Sequence, residues 1–150
     1  MIHHPAETTL FHLQSLYPAN PAAGAQYSAT MTDLGRDQLV AVAFTLQTDA
    51  TGANRFPTIR IISTARIVTR CVYVNPVIAS QFAYIHFAIG LLPQEALSGT
   101  DRIINSGLPH DLILVGPTTY TIQIENIQAT DQIANITIWY RHWHQSTFSV

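Results

Sequence analysis

TTYTIQIENIQATDQIANITIWYRHWHQ, residues 118–145, alternates apolar and polar side chains on both sides of the short stretch QATDQ. Successive side chains of a strand point to opposite faces, so a period of two marks a half-buried strand. Tyr120, Ile122 and Ile124 share one face, and Thr119, Thr121, Gln123 and Glu125 share the other. Beyond QATDQ the apolar face resumes with Ala134, Ile136, Ile138 and Tyr140. A loop of this length is common in hairpins, and the pattern predicts Ile124 opposite Ile136, Ile122 opposite Ile138 and Tyr120 opposite Tyr140.

The same period recurs upstream. In QLVAVAFTLQT, Val40, Val42, Phe44 and Leu46 fall on one side, followed by the turn-rich DATGAN. PTIRIISTARIVTRCVYV reads as a long or bent strand with Ile59 and Ile61 inward, Arg60 outward, and a kink or bulge at Ser63-Thr64-Ala65. Residues 71–94, CVYVNPVIASQFAYIHFAIGLLPQ, are uncharged and long enough for a bilayer. Asn75, Pro76, Ser80, Gln81 and His86 interrupt any apolar cylinder, while Ala83, Ile85, Phe87, Ile89 and Leu91 keep strand alternation, so no membrane span is expected. DLILVG adds a short run of the buried-strand type. Only ETTLFHLQSLYP has helical spacing, through Leu10, Leu13 and Tyr17, with Pro18 as a stop. The expected fold is all-β: a single antiparallel β-sandwich, jelly-roll-like, over residues 27–150. A short N-terminal helix or arm with its linker occupies residues 1–26, either reaching a neighbour or packing on its own sheet.

Of the 150 residues, 47% are hydrophobic and 11% charged, against about 25% charged in typical soluble domains. All seven basic residues are arginine. Lysine and glutamate ordinarily keep surfaces and sheet edges solvated, whereas arginine is favoured at interfaces. The composition therefore reads as that of a subunit covered by partners, with compositional drift of the source as the alternative. A net charge of -2 offers no field for capturing nucleic acid or anionic membrane. The single cysteine, Cys71, excludes an intrachain disulfide. The beginning MIHHPAETTLFHLQ does not read as a secretory signal, so assembly in a cytoplasm is expected.

Three groups of residues carry possible chemistry. His142 and His144 have the i, i+2 spacing of a chelating pair, but zinc needs three or four ligands. No second pair at a recognised spacing supplies them, and histidines at a surface or subunit contact are the plainer reading, so no metal or other cofactor is expected. Trp139 and Trp143 flank Arg141 on an otherwise polar face, which suits a glycan platform or, better, an interface hot spot. Arg55, Arg60, Arg66 and Arg70 cluster in one stretch; salt bridges across a subunit boundary suit them better than phosphate contacts. No nucleophile elbow, zinc-protease motif or phosphate loop occurs, so no catalysis is expected.

In build, the charge-poor strands TTYTIQIENIQ and ANITIWYRHW, with the arm-like MIHHPAETTLFHLQSLYPANPAAGAQ, resemble small β-sandwich or jelly-roll virion structural proteins of bacteriophages and other viruses. The resemblance implies a non-enzymatic subunit that contacts copies of itself and other particle proteins. The contacts would run through Leu10, Phe11, Leu13, Arg60, Arg66, Arg70, Trp139, Arg141 and Trp143. A carbohydrate-binding sandwich with a glycan receptor, and then a small histidine–metal enzyme, are the alternative expectations.

Overall fold

A computed structural model describes residues 11–31, 36–63, 66–115 and 117–143. Among these residues there are strands and no helices: β1 (Phe11–Leu16), β2 (Tyr27–Met31), β3 (Arg36–Gln47), β4 (Phe56–Ser63), β5 (Arg66–Val72), β6 (Phe82–Ile89), β7 (Gln94–Ser98), β8 (Asp101–Leu108), β9 (Leu114–Val115), β10 (Thr118–Glu125) and β11 (Gln132–Trp143).

Two sheets pack face to face. The larger is ordered β1-β11-β3-β6-β8-β7, with β9 also on β3, and the smaller is ordered β2-β10-β4-β5. With β7, β8 and β9 set aside, the remaining eight strands interleave as two four-stranded sheets, β1-β11-β3-β6 and β2-β10-β4-β5. This is jelly-roll connectivity. β7 and β8 form an inserted hairpin whose two-residue turn begins at Gly99 with φ +61°. The insertion widens the larger sheet and makes one parallel pair, β6 with β8.

The inward side chains are those the alternation selects. Val42, Phe44, Leu46, Ala83, Ile85, Phe87 and Ile138 of the larger sheet meet Ile59, Ile61, Tyr120, Ile122 and Ile124 of the smaller in one core. Two bulges correct the simple period. Leu39 and Ala41 pair with the adjacent residues Tyr140 and Trp139, so Val40 is extra and Leu39 turns inward. On β11, Ala134 to Thr137 oppose Thr45 to Ala43. Asn135 there takes φ +51°, a conformation asparagine tolerates better than most residues, and Ile133 becomes buried in place of Ala134.

Three expectations need correction. β10 and β11 do not form a hairpin: β10 pairs with β2 and β4, and β11 with β1 and β3. Their apolar faces meet across the core, which satisfies the same alternation as lying side by side. The stretch around Ser63 is a reversal and not a kink, since Ser63 and Arg66 are partners in the β4–β5 pair. The N-terminal segment is a strand where it is described: Phe11–Leu16 pairs with β11 residue by residue, from Phe11 with Trp143 to Leu16 with Ile138. Free backbone groups on the edge of β11 outweigh a three-residue helical period. Among the described residues of DLILVG, only Leu114–Val115 is strand, and Ile113 is exposed.

Four arches between the sheets, residues 17–26, 48–55, 73–81 and 126–131, converge at one end of the sandwich. Arg55 and Asp131, both fully buried, lie at their centre. All five guanidinium N–H groups of Arg55 are used. Nε and Nη2 donate to Asp131 Oδ2 and Oδ1 at 2.9 and 3.0 Å, Nη2 donates to Asp49 Oδ1 at 2.6 Å, and Nη1 donates to the carbonyls of Thr51 and Ala53. Asp131 also accepts the amides of Asp49 and Gln128. Its own carbonyl accepts the amide of Gly24 at 2.8 Å. Burial works against the charge on Arg55, but the two carboxylates hold its pKa above the ordinary value.

Removing one member of a buried ion pair strands the other, which typically costs about 3–5 kcal/mol. Arg55→Leu or Asp131→Asn is expected to lower unfolding free energy by that order, read as a lower urea midpoint with unchanged slope. Gly24 has φ +73°, and a Cβ there would sit 3.0 Å from Ala129 backbone atoms. Gly24→Ala is therefore expected to destabilise by more than about 1 kcal/mol in the same measurement.

Candidate functional site

On β11 the outward positions are Trp139, Arg141 and Trp143. Across the register they stand between Ser15, Leu13 and Phe11 of β1 and Ala41, Gln38 and Arg36 of β3. Trp139, Arg141 and Trp143 are half-buried, and Arg141 Nη1 donates to Gln38 Oε1 at 3.1 Å. Leu13 beside them is 59% exposed. The structure brings Trp139, Arg141 and Trp143 onto one face, as their spacing predicts, and adds Leu13, which reads in the sequence as helical. Leu10 lies outside the described residues.

The histidines behave differently. His142 is not at a surface: it points inward, and its Nδ1 lies 2.8 Å from Oδ1 of buried Asp37, its register partner on β3. His142 thus sits beneath the sheet, and His144 of the chelating pair lies outside the described residues. No group of three metal-capable side chains occurs among the described residues.

Tyr120 contributes to the same buried region from the opposite sheet. Its hydroxyl and Asp37 Oδ2 are both buried without a hydrogen-bond partner. Burial first, then the nearby Asp37 carboxylate and Tyr140, push the Tyr120 phenol well above its ordinary value of 10.0. The arrangement stores buried polarity but gives no substrate access to it.

The arginine cluster divides in two. Arg55 is interior, which corrects its reading as a boundary residue. Arg60 and Arg70 are direct partners across β4 and β5 on the outer face of the smaller sheet. Arg60 Nη1 donates to Gln123 Oε1 at 3.2 Å, and Arg70 pairs with Glu125. They line a shallow groove of about 620 Å³ with Gln26, Gln123, Glu125 and Asn126. Arg66 begins β5 opposite Ser63, at the other end of that strand.

Sequence reasoning missed two ion clusters. One is Asp49–Arg55–Asp131. Its members lie in or beside the loops DATGAN and QATDQ, and no spacing in the sequence links them, since Thr-Asp also occurs at 32–33 and 100–101. The other joins Arg102 of β8 to Glu95 of β7, with Tyr73 donating to Glu95 at 2.7 Å. Although burial opposes it, Tyr73 and Arg102 hold the Glu95 carboxyl below its ordinary value. Burial pushes the Cys71 thiol up, as expected of an unreactive cysteine.

No protein-family profile matches the sequence, and no curated protein matches it. Among solved structures the chain is similar to dimeric latent PorU from Porphyromonas gingivalis, with a TM-score of 0.43 and 9% identity. That alignment covers 94% of this chain and 14% of the PorU chain, so this chain spans a small fraction of that protein's length. A likeness this distant carries no functional argument.

The orphaned Tyr120 hydroxyl yields a stability test. Replacing an unpaired buried polar group by an apolar one of the same shape is neutral or favourable, so Tyr120→Phe is expected to leave the urea midpoint unchanged or raise it. The raised folded-state pKa means the unfolded chain releases this proton first as pH rises. Native stability should therefore fall above pH 10, the ordinary tyrosine value, and the fall should be shallower in Tyr120→Phe.

Proposed function

We propose that this chain is a non-enzymatic structural subunit of a symmetric assembly, with a virus particle as its setting. The observation that carries the reading is the condition of the sheet edges. β1 and β7 border the larger sheet, and β2 and β5 border the smaller. Three of these four strands expose large aliphatic side chains: Leu13 on β1, Val68 and Val72 on β5, and Leu97, 66% exposed, on β7. Edge strands that must remain single are usually guarded by lysine or other charges, and this chain has no lysine.

The distribution of charge supports the same reading. Arg55 and Arg102 are buried against carboxylates, so two of the seven arginines serve the interior and not the surface. Jelly rolls occur in viral capsids, lectins and cupins, which supports the setting only by analogy of fold. Asp37–His142 and Asp49–Arg55–Asp131 hold the residue types of catalysis, yet the first pair and the Arg55–Asp131 core are sealed from solvent. That favours structural work over chemistry. The half-buried face of Trp139, Arg141 and Trp143, with exposed Leu13 beside it, adds an anchor for a neighbouring copy.

Size-exclusion chromatography with light scattering on the whole chain tests this. The expected result is an oligomer whose mass grows with concentration, converted towards monomer by Leu13→Glu combined with Leu97→Glu at unchanged thermal stability. A wild-type chain that stays monomeric at every concentration would sink the proposal.

A further inference from the structure

The outer face of the smaller sheet carries a feature that assembly through the edges does not require. Arg60 and Arg70 stand directly opposite one another on β4 and β5. Like charges at directly opposed positions destabilise a sheet. One carboxylate, Glu125, serves this pair, and it lies against Arg70. Arg60 meets a neutral amide, Gln123 Oε1, through Nη1 alone. A guanidinium presents five N–H donors in a planar fork that matches a carboxylate or sulfate edge. Arg60 thus keeps donors directed to a groove that carries a local excess of one positive charge.

The surroundings are mixed, with Gln26, Gln123, Glu125 and Asn126 beside the apolar Ile124 and Ile127. Gln26 donates through Nε2 to the carbonyl of Ile124 at 3.0 Å and accepts the Ile124 amide through Oε1 at 2.7 Å, which fixes one wall. Along the register, Arg60 is followed by Thr121 and then Ser28, whose hydroxyls share a hydrogen bond of 2.9 Å. The groove is shallow, so a molecule held there would rest on the sheet with one side toward solvent. We infer that this groove binds an oxyanion group, a carboxylate or sulfate, on a small hydroxyl-rich molecule such as a sugar acid. The Arg60 fork anchors the anion, and the Gln123 and Asn126 amides beside it meet the hydroxyl groups.

The test is a calorimetric and NMR titration of the whole chain at constant ionic strength with sodium glucuronate, sodium sulfate and glucose. Arg60→Gln is compared with Arg36→Gln, which removes the same charge from an exposed position outside the groove. Thermal melts and light scattering confirm that both variants share the fold and oligomeric state of the wild type. Saturable glucuronate binding is expected, weakened about tenfold or more in Arg60→Gln, as loss of a charge-assisted hydrogen-bond pair implies. Arg36→Gln should bind as the wild type does, and shifts should centre on Gln26, Gln123 and Asn126. Sulfate binding as tightly as glucuronate would sustain the oxyanion site while showing that the hydroxyl groups contribute little. Glucose binding as tightly as glucuronate, an unaffected Arg60→Gln, or no saturable binding of either anion would overturn the inference.

Discussion

The burial of one guanidinium organises this molecule. Arg55 sits wholly out of solvent where four arches cross between the sheets, and an arginine placed there must have every donor met. Asp131 from the β10–β11 arch and Asp49 from the β3–β4 arch supply the carboxylates; the carbonyls of Thr51 and Ala53 complete the set. Meeting that demand fixes the relative position of arches far apart in sequence. Gly24 of the first arch joins through the Asp131 carbonyl, and Val77 of the third exchanges two backbone hydrogen bonds with Arg55. The sheets are aligned at this end by charge as well as by the apolar core.

With that end clamped, the remaining surfaces divide their roles. The larger sheet, widened by the inserted β7–β8 hairpin, shows half-buried Trp139, Arg141 and Trp143 and exposed aliphatics at both borders. The smaller sheet shows hydroxyls paired across strands, Ser28 with Thr121 and Thr30 with Thr119, together with the Arg60–Arg70 groove. The first carries the aromatic and aliphatic side chains, the second the hydroxyls and paired arginines.

Much of the fold was legible because burial follows a period of two. Ile122, Ile124, Ile59, Ile61, Ala83, Ile85 and Phe87 are all inward where alternation places them. Shared facing does not specify pairing, however. Tyr120 and Tyr140 turn toward the same core from different sheets, and alternation looks identical whether two strands are neighbours or opposed layers. The bulges at Val40 and Asn135 shift facing by one residue without any break in the apolar pattern. The candidate site was legible to the same degree. Trp139, Arg141 and Trp143 share a face as their spacing requires, whereas His142 proved interior because Asp37 stands opposite it.

The sequence by itself determined that this chain is a sandwich of short strands with a charge-poor surface, because solvent sorts side chains locally and leaves a periodic record. It also set which faces are apolar and where the chain must turn. Tertiary structure alone decided the jelly-roll connectivity, the edge position of β1, and which arginines lie inside. Those depend on contacts between residues many strands apart, such as Arg55 with Asp131 and Asp37 with His142. In each, the partners meet only when the fold brings distant stretches together, and removing either one leaves the other buried and unpaired.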